Sequence, residues 1–110
     1  LKLGNINVYR DWGWAPEYVE AFWLMLQKKK AEDLILGSGK AHTIKEFVEE
    51  VFKLQNIDKK NLISNVKQFN RKLDIRGYKA DIELTKKKLK WKPKISFKKI
   101  IYKMVNDELY

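Results

Sequence analysis

The chain has 110 residues, a net charge of +10 and no cysteine, and its only histidine is His42. These counts exclude a disulfide framework and any zinc site built from cysteines or from several histidines. No apolar run approaches the ~18 residues that a membrane helix requires. Since 45% of the residues are apolar and the first is Leu1 rather than Met, we expect a small globular domain or a piece of a larger one.

The positive charge comes from 24 Lys and Arg against 14 Asp and Glu. A basic surface concentrates anions, so it suits nucleic acid, acidic lipid or the phosphates of a nucleotide. The chain is also rich in Lys, Ile and Asn, and such a bias can accumulate without function. The lysine runs are dispersed over predicted helix ends and loops, which favours a solvated surface.

Residues 1–14 are predicted to be extended. Alternate positions share one face of a strand, and that face would carry Ile6, Val8, Arg10, Trp12 and Trp14. A helix is predicted over residues 16–28, because Pro16 suits a first helical turn and an apolar stripe follows at helical spacing. The stripe consists of Val19, Phe22, Trp23 and Leu26.

The run from Asp33 to Leu36 predicts a short strand. Its continuous apolar character is typical of a strand buried on both faces of a parallel sheet. Because only one such run occurs, we expect the neighbouring strands to belong to a part of the protein outside this chain. Gly37-Ser38-Gly39 predicts a tight turn, since it lacks the following residues of a phosphate-binding or dinucleotide-binding loop.

A second helix is predicted over residues 44–54, because Thr43 and Glu46 have the spacing of a capping box. The polar residues 55–70 predict at most a short strand, around 62–66.

Two further helices are predicted near the end of the sequence. A short one begins at Asp81 and ends near Lys88, before Pro93 interrupts the pattern. The last one is capped by Ser96, and its apolar face contains Phe97, Ile100, Ile101, Met104 and Val105.

Two arginine–carboxylate pairs are the candidate binding residues. Arg10 precedes Asp11, and Arg71 is followed three residues later by Asp74. A guanidinium group binds phosphate through parallel charge-assisted hydrogen bonds. A carboxylate can bind sugar hydroxyls, so the pairs would suit a nucleoside diphosphate. The alternative is ordinary surface ion pairs, each contributing under about 1 kcal/mol.

Two aromatic or basic candidates have simpler interpretations. Trp12 and Trp14 could stack on nucleic-acid bases, but packing of a strand beneath a helix is the favoured interpretation. His42 has no sequence neighbours that would form a catalytic triad with it, and we expect it to be a loop residue before the Thr43 cap.

Six blocks of sequence form a recognisable pattern. In chain order they are Leu3-Gly4-Asn5, Arg10-Asp11-Trp12-Gly13, Tyr18-Val19-Glu20-Ala21, Trp23-Leu24-Met25-Leu26-Gln27, Thr43-Ile44-Lys45-Glu46-Phe47-Val48-Glu49 and Lys88-Leu89-Lys90-Trp91-Lys92-Pro93-Lys94-Ile95-Ser96-Phe97. Together they resemble the GDP-mannose 4,6-dehydratase family of extended short-chain dehydrogenases, over most of the chain and without rearrangement.

The resemblance implies an α/β fold, namely the C-terminal portion of an extended short-chain dehydrogenase with three to four helices and a few short strands. Residues 1–110 would bind the sugar nucleotide, and residues 33–36 would be one late strand of the Rossmann sheet. The Rossmann domain that holds NADP in the family would lie mostly outside this chain. Family members are homo-oligomers, and we expect a cytoplasmic protein with no membrane partner.

The resemblance also implies an activity for the parent enzyme, an NADP-dependent lyase. GDP-mannose is oxidised at C4, loses water across C5 and C6, and receives the hydride at C6, which yields GDP-4-keto-6-deoxy-mannose. The family's catalytic Tyr-x-x-x-Lys does not occur in this sequence, and the cofactor loop is expected before Leu1. We therefore expect no catalytic residue, no metal ligand and no activity in this piece alone.

By the same resemblance, Arg10 would contact the diphosphate, Arg71 and Asp74 would contact diphosphate and ribose, and Asn5 would line the pocket. Lys90 stands where the family usually has glycine. The segment before Arg71 is shorter than in the dehydratases, which leaves a GDP-sugar reductase or epimerase of the same superfamily as an alternative. A basic nucleic-acid-binding module is a distant alternative, and nucleic acid is not an expected partner.

Overall fold

The structure is a computed structural model that describes residues 1–58, 64–69 and 75–107. Within these ranges, the helices are α1 (Ala15–Leu26), α2 (Ile44–Leu54), α3 (Glu83–Leu89) and α4 (Phe97–Val105). The strands are β1 (Lys2–Leu3), β2 (Tyr9–Asp11), β3 (Ala41–Thr43) and β4 (Ser64–Asn65). β1 pairs in parallel with β4, and β2 pairs antiparallel with β3. The predicted α/β class and helix number are therefore confirmed.

The first fourteen residues do not form the single extended segment that alternation predicted. A turn separates β1 from β2, because the Asn5 side-chain oxygen accepts a hydrogen bond from the Asn7 backbone N–H at 3.0 Å. Beyond the turn, Val8 is buried and Tyr9 is exposed as the alternation predicts, but residues 10–14 are all partly buried and do not alternate. The turn places Asn5 beside the start of β2 rather than in line with it.

Helix α1 agrees with the predicted range to within two residues, and Pro16 lies in its first turn. Its face towards the core is nevertheless not the predicted one. Ala21 is fully buried against Leu89 and Trp91, because its small side chain lets the helix approach the indole closely. The predicted stripe faces outward, and all four of its members are more than half exposed: Val19, Phe22, Trp23 and Leu26.

Residues 33–36 do not form the predicted strand. A strand requires a pairing partner, and none of the described segments pairs with them. Leu34 and Leu36 pack against the cluster around Trp91, while Ile35 points outward and is 59% exposed. The Ile35 carbonyl accepts a hydrogen bond from the buried Thr85 hydroxyl at 2.7 Å, which anchors the run to α3.

Helices α2 and α4 begin at the predicted caps. The Thr43 hydroxyl accepts from the Glu46 backbone N–H at 3.0 Å, and the Glu46 carboxylate accepts from the Thr43 N–H at 2.8 Å. Both halves of the capping box are therefore formed. Ser96 caps α4 by accepting from the Lys99 N–H at 3.3 Å.

The two capped helices pack on each other. Their buried residues are Val48 and Phe52 in α2 and Ile100 and Ile101 in α4. Met104 departs from the predicted apolar face of α4, since it is 55% exposed.

Helix α3 is not capped by Asp81 as predicted, because its N-cap residue is Ile82 and no side chain caps it. Asp81 lies one residue earlier, and its carboxylate accepts a hydrogen bond from the Glu83 N–H at 3.1 Å. The helix ends at Lys90, whose φ of 52° and ψ of 29° are left-handed. This reversal directs Trp91 into the core, where it is 5% exposed.

In the middle of the chain, β4 is the short strand expected there, whereas Leu62 and Ile63 lie outside the described residues.

The molecule is thin in one direction, with extents of 54 × 34 × 17 Å and a radius of gyration of 16.7 Å. A compact domain of this length has a radius of gyration of about 13 Å. No helix within the described ranges is long and apolar enough to cross a bilayer.

Candidate functional site

Asn5 and Arg10, two of the four residues implicated by sequence, line one pocket. The pocket has a volume of about 320 Å³ and lies between the turn after β1, strand β2 and the start of α2. Its lining is mainly apolar and consists of Leu3, Gly4, Asn5, Ile6, Val8, Arg10, Trp12, Ile44 and Phe69. An apolar pocket with a few polar groups is the usual form of a small-molecule site.

The Arg10 guanidinium is held in place by its surroundings. Its Nη1 donates to the carbonyl of Tyr9 at 2.7 Å and to the carbonyl of Ile75 at 3.1 Å. The guanidinium carbon lies 5.5 Å from the centre of the Tyr78 ring, within range of a cation–π interaction.

Asp11 binds backbone, and sequence reasoning did not predict this role. Its carboxylate accepts from the N–H groups of Ser38 at 2.8 Å, Gly39 at 2.9 Å and Ala80 at 3.0 Å. A side chain at Gly37 would meet the Ala80 methyl at 2.2 Å. The glycine-rich bend thus closes around a carboxylate of the same chain, which agrees with the predicted turn and not with a phosphate loop.

Residues 75–80 lie alongside β2 because three consecutive strand residues hold them. The Tyr9 N–H donates to the Arg76 carbonyl at 3.0 Å, Arg10 donates to Ile75, and Asp11 accepts from Ala80. At Gly77, a Cβ atom would come within 2.7 Å of the Tyr9 Cβ atom, so the close approach requires glycine. The Arg10-Asp11 pair is therefore a junction between β2 and this segment.

The second predicted pair, Arg71 and Asp74, lies outside the described residues. The described chain resumes at Ile75, the residue bonded to Asp74, and its carbonyl contacts Arg10.

The tryptophans pack as expected rather than forming an open stacking platform. The Trp12 ring centre lies 4.8 Å from that of Phe47 and 6.4 Å from that of Phe97. The Trp12 Nε1 atom is buried without a hydrogen-bond partner. Trp14 is partly buried, with the Lys103 Nζ atom 5.4 Å from its ring centre.

His42 lies on strand β3, opposite Arg10, and the prediction of a loop position is wrong. The ring stacks on Phe97 at a centroid distance of 3.9 Å, and its Nδ1 atom is 3.2 Å from the Glu46 carboxylate. Pairing of β3 with β2 explains the extended backbone, which the sequence around position 42 does not reveal.

A larger groove of about 790 Å³ lies between α2 and the loop before α4. It contains charges of both signs and none of the predicted binding residues: Ser38, Lys40, His42, Glu46, Glu49, Glu50, Lys53, Ile57, Pro93, Lys94, Ile95, Ser96, Phe97 and Lys98. Across the described part of the chain, no group of three or more potential acidic or histidine ligands could hold a metal ion.

Tyr18 is a residue of α1, and it lies beside the junction between β2 and residues 75–80. Its hydroxyl passes so close to Gly13 that a Cβ atom there would overlap it. Burial, reinforced by the nearby negative charges of Asp11 and Glu17, raises the pKa of Tyr18 above its usual value. The neutral phenol is therefore the favoured form in the folded protein.

Comparison with solved structures identifies the fold. A superposition with RMD from Pseudomonas aeruginosa complexed with NADPH has a TM-score of 0.85 at 21% identity and covers 97% of this chain and 35% of that one. For dTDP-glucose 4,6-dehydratase from Bacillus anthracis in complex with NAD, the TM-score is 0.85 at 27% identity, with 96% and 33% covered.

Sequence comparison identifies the family. GDP-mannose 4,6 dehydratase 1 of Arabidopsis thaliana is 39% identical over 109 residues, which are 99% of this chain and 30% of the relative. The human GDP-mannose 4,6 dehydratase is 32% identical over 127 residues, with 99% and 34% covered. The chain thus spans about a third of the length of these relatives. Since the family model for GDP-mannose 4,6 dehydratase also matches residues 1–104, the chain belongs to the GDP-mannose 4,6-dehydratase family.

Proposed function

We propose that this chain is the sugar-nucleotide-binding part of a GDP-mannose 4,6-dehydratase, which converts GDP-mannose to GDP-4-keto-6-deoxy-mannose and water. The observation that carries the proposal is the pocket that contains both Asn5 and Arg10. A guanidinium group fixed by carbonyls at one wall of an apolar pocket is suited to a diphosphate. Family membership supplies the identity of the sugar nucleotide.

The proposal assigns Arg71 and Asp74 to the same site, to bind diphosphate and ribose. Support comes from Ile75, which follows Asp74 directly and whose carbonyl accepts a hydrogen bond from Arg10. Support also comes from the other two contacts that hold residues 75–80 against β2. These contacts constrain the chain on the C-terminal side of the second pair.

The cofactor in this proposal is a nicotinamide dinucleotide, NADP, bound by the Rossmann part of the parent enzyme. The described residues of this chain do not fit that role, because the bend at Gly37, Ser38 and Gly39 already encloses the Asp11 carboxylate. Residues 1–110 thus form the substrate side of the parent, and catalysis requires the remainder.

A GDP-sugar reductase or epimerase is the second candidate, and the short segment before Arg71 motivated it. The match with the human relative extends over 127 positions although this chain has 110 residues. The match with the Arabidopsis dehydratase extends over only 109. A dehydratase can therefore have this short segment, so its length does not favour the alternative.

The test uses a polypeptide in which this chain replaces the matched third of the Arabidopsis relative. We expect GDP to raise its melting temperature by mass action. We expect Arg10→Ala to weaken GDP binding by about tenfold or more, because a charge-assisted hydrogen bond contributes about 1.5–3 kcal/mol. Lys87→Ala, which removes an exposed charge on α3, is the matched control and should leave binding unchanged.

Equal protection of the Arg10→Ala and Lys87→Ala variants would contradict the site assignment. Product analysis with GDP-mannose and NADP separates the two activities, because only a dehydratase yields the 4-keto-6-deoxy sugar.

A further inference from the structure

We propose that Tyr78 is a positioning residue, whose ring holds the guanidinium group of Arg10 in the orientation that a bound diphosphate requires. The guanidinium carbon lies over the Tyr78 ring, 5.5 Å from its centre. The consequence for binding rests on the proposed function, because that function makes Arg10 a diphosphate ligand. The contact between the two side chains is independent of it.

The backbone sets the position of the Tyr78 ring. Residues 75–80 are hydrogen-bonded to β2 at three points. A Cβ atom at Gly77 would lie 2.7 Å from that of Tyr9, so the two segments approach very closely just before Tyr78. The contacts advance together along both segments, which therefore run in the same direction: Tyr9 meets Gly77, Arg10 meets Tyr78 and Asp11 meets Ala80.

The ring complements the hydrogen bonds of Arg10. The carbonyls of Tyr9 and Ile75 both accept from a single nitrogen, Nη1, at 2.7 and 3.1 Å. An aromatic ring against the guanidinium adds an electrostatic attraction and limits the rotation of a long side chain. A side chain that is already ordered loses less entropy when a ligand binds, so the affinity is higher.

The exposure of the two residues is consistent with this role. Tyr78 is 56% exposed, so it contributes little to the core. Arg10 is partly buried, and the ring excludes water from one side of its guanidinium. A charge with less water around it attracts a phosphate more strongly.

A second cation–π pair serves as the reference. The Lys99 Nζ atom lies 4.2 Å from the centre of the Tyr102 ring, within α4. Tyr102 is 39% exposed, and neither residue lines the pocket that contains Arg10. Loss of the Tyr102 ring therefore removes a similar contact at a different place.

The experiment measures GDP binding by titration calorimetry, with the polypeptide described above in which this chain replaces the matched third of the Arabidopsis relative. We expect Tyr78→Leu to weaken GDP binding by about two- to fivefold, as for loss of an exposed cation–π pair. Tyr78→Phe should retain most of the affinity because the ring remains. Tyr102→Leu is the matched control and should leave GDP binding unchanged.

A double-mutant cycle with Arg10→Ala separates positioning of the arginine from a general effect on the structure. If Tyr78 acts through Arg10, then Tyr78→Leu should no longer change the GDP affinity once Arg10 is replaced. The same loss of affinity in both backgrounds would overturn the proposal. Equal affinity of the Tyr78→Leu variant and the unmodified polypeptide would overturn it as well.

Chemical modification tests the contact without nucleotide. Phenylglyoxal reacts with accessible guanidinium groups, and mass spectrometry of the peptide that contains Arg10 gives the rate at this residue. We expect Tyr78→Leu to raise that rate, and Tyr78→Phe and Tyr102→Leu to leave it unchanged. An unchanged rate in Tyr78→Leu would overturn the proposal. If this pattern of rates holds but no polypeptide binds GDP, the proposed function is contradicted and the contact that positions Arg10 is not.

Discussion

At the scale of single residues, Asp11 joins strand β2 to two other parts of the chain. Its carboxylate accepts three backbone N–H groups from two separate loops. Those loops surround the base of β2, on which Arg10 sits. Asp11 thereby fixes the strand and residues 75–80 relative to each other, and Arg10 with them.

Asp11→Asn tests this role. An amide has one oxygen acceptor, and its NH₂ group would face N–H donors, so at least one of the three backbone groups loses its partner. We expect the free energy of unfolding in urea to fall by about 2 kcal/mol. Asp81→Asn is the control and should change stability by less than about 0.5 kcal/mol, because the amide oxygen of asparagine can accept the Glu83 N–H in place of the carboxylate. Equal effects at both positions would contradict the junction.

At the scale of helices and strands, the sequence predicted what local chemistry determines. The capping box at Thr43 and the Ser96 cap define where α2 and α4 begin, and both signals lie within four residues of sequence. The prediction for α1 was correct in range and wrong in orientation, because a helix apolar on both sides does not reveal which side meets the core. Residues 33–36 were predicted as a strand from their composition, which is a local property. A strand also requires a pairing partner, and composition does not reveal whether one is present.

The site was predictable to the same extent. Arg10 and Asn5 were identified from the resemblance, and the structure brings them into one pocket. The contacts of Asp11 and Tyr78 link positions 27 to 69 residues apart, and no local pattern encodes such separations. The glycines at positions 37, 39 and 77 are the only sequence signal of these close approaches.

Lys90 connects a sequence signal to the end of α3. It occupies the left-handed conformation that glycine adopts without strain, as its place in the family pattern suggested. Since a non-glycine residue there costs about 1–2 kcal/mol, we expect Lys90→Gly to raise the free energy of unfolding by roughly 1 kcal/mol. Lys87→Gly, inside the same helix, should lower it by a similar amount. Thermal and urea unfolding of the pair would disprove this account if the two signs agree.

At the scale of the whole molecule, the pH dependence of stability should show the burial of Tyr18. Its pKa is raised in the folded state, so the unfolded chain releases this proton first as pH rises. Stability is then unaffected by Tyr18 below pH about 10 and falls as pH rises further towards the folded-state pKa. We expect Tyr18→Phe to make the decline above pH 10 shallower in urea titrations.

Tyr102→Phe provides the comparison for that titration, because Tyr102 lies on the outer side of α4 and is 39% exposed. It should retain the alkaline decline of the unmodified chain. An identical decline in the Tyr18→Phe variant would show that the phenol is not the cause.

The same Asp11 junction has a consequence for folding kinetics. Its bonds to Ser38 and Ala80 span 27 and 69 residues, so two long loops must close before they form, and loop closure is a cost incurred early. Helices α2 and α4, with their local caps, can form before either loop closes. We expect the bonds of the junction to form after the transition state, so that they slow unfolding rather than speed folding. The lifetime of the folded molecule, and with it the time that the pocket around Arg10 remains intact between opening events, would then depend on the Asp11 carboxylate.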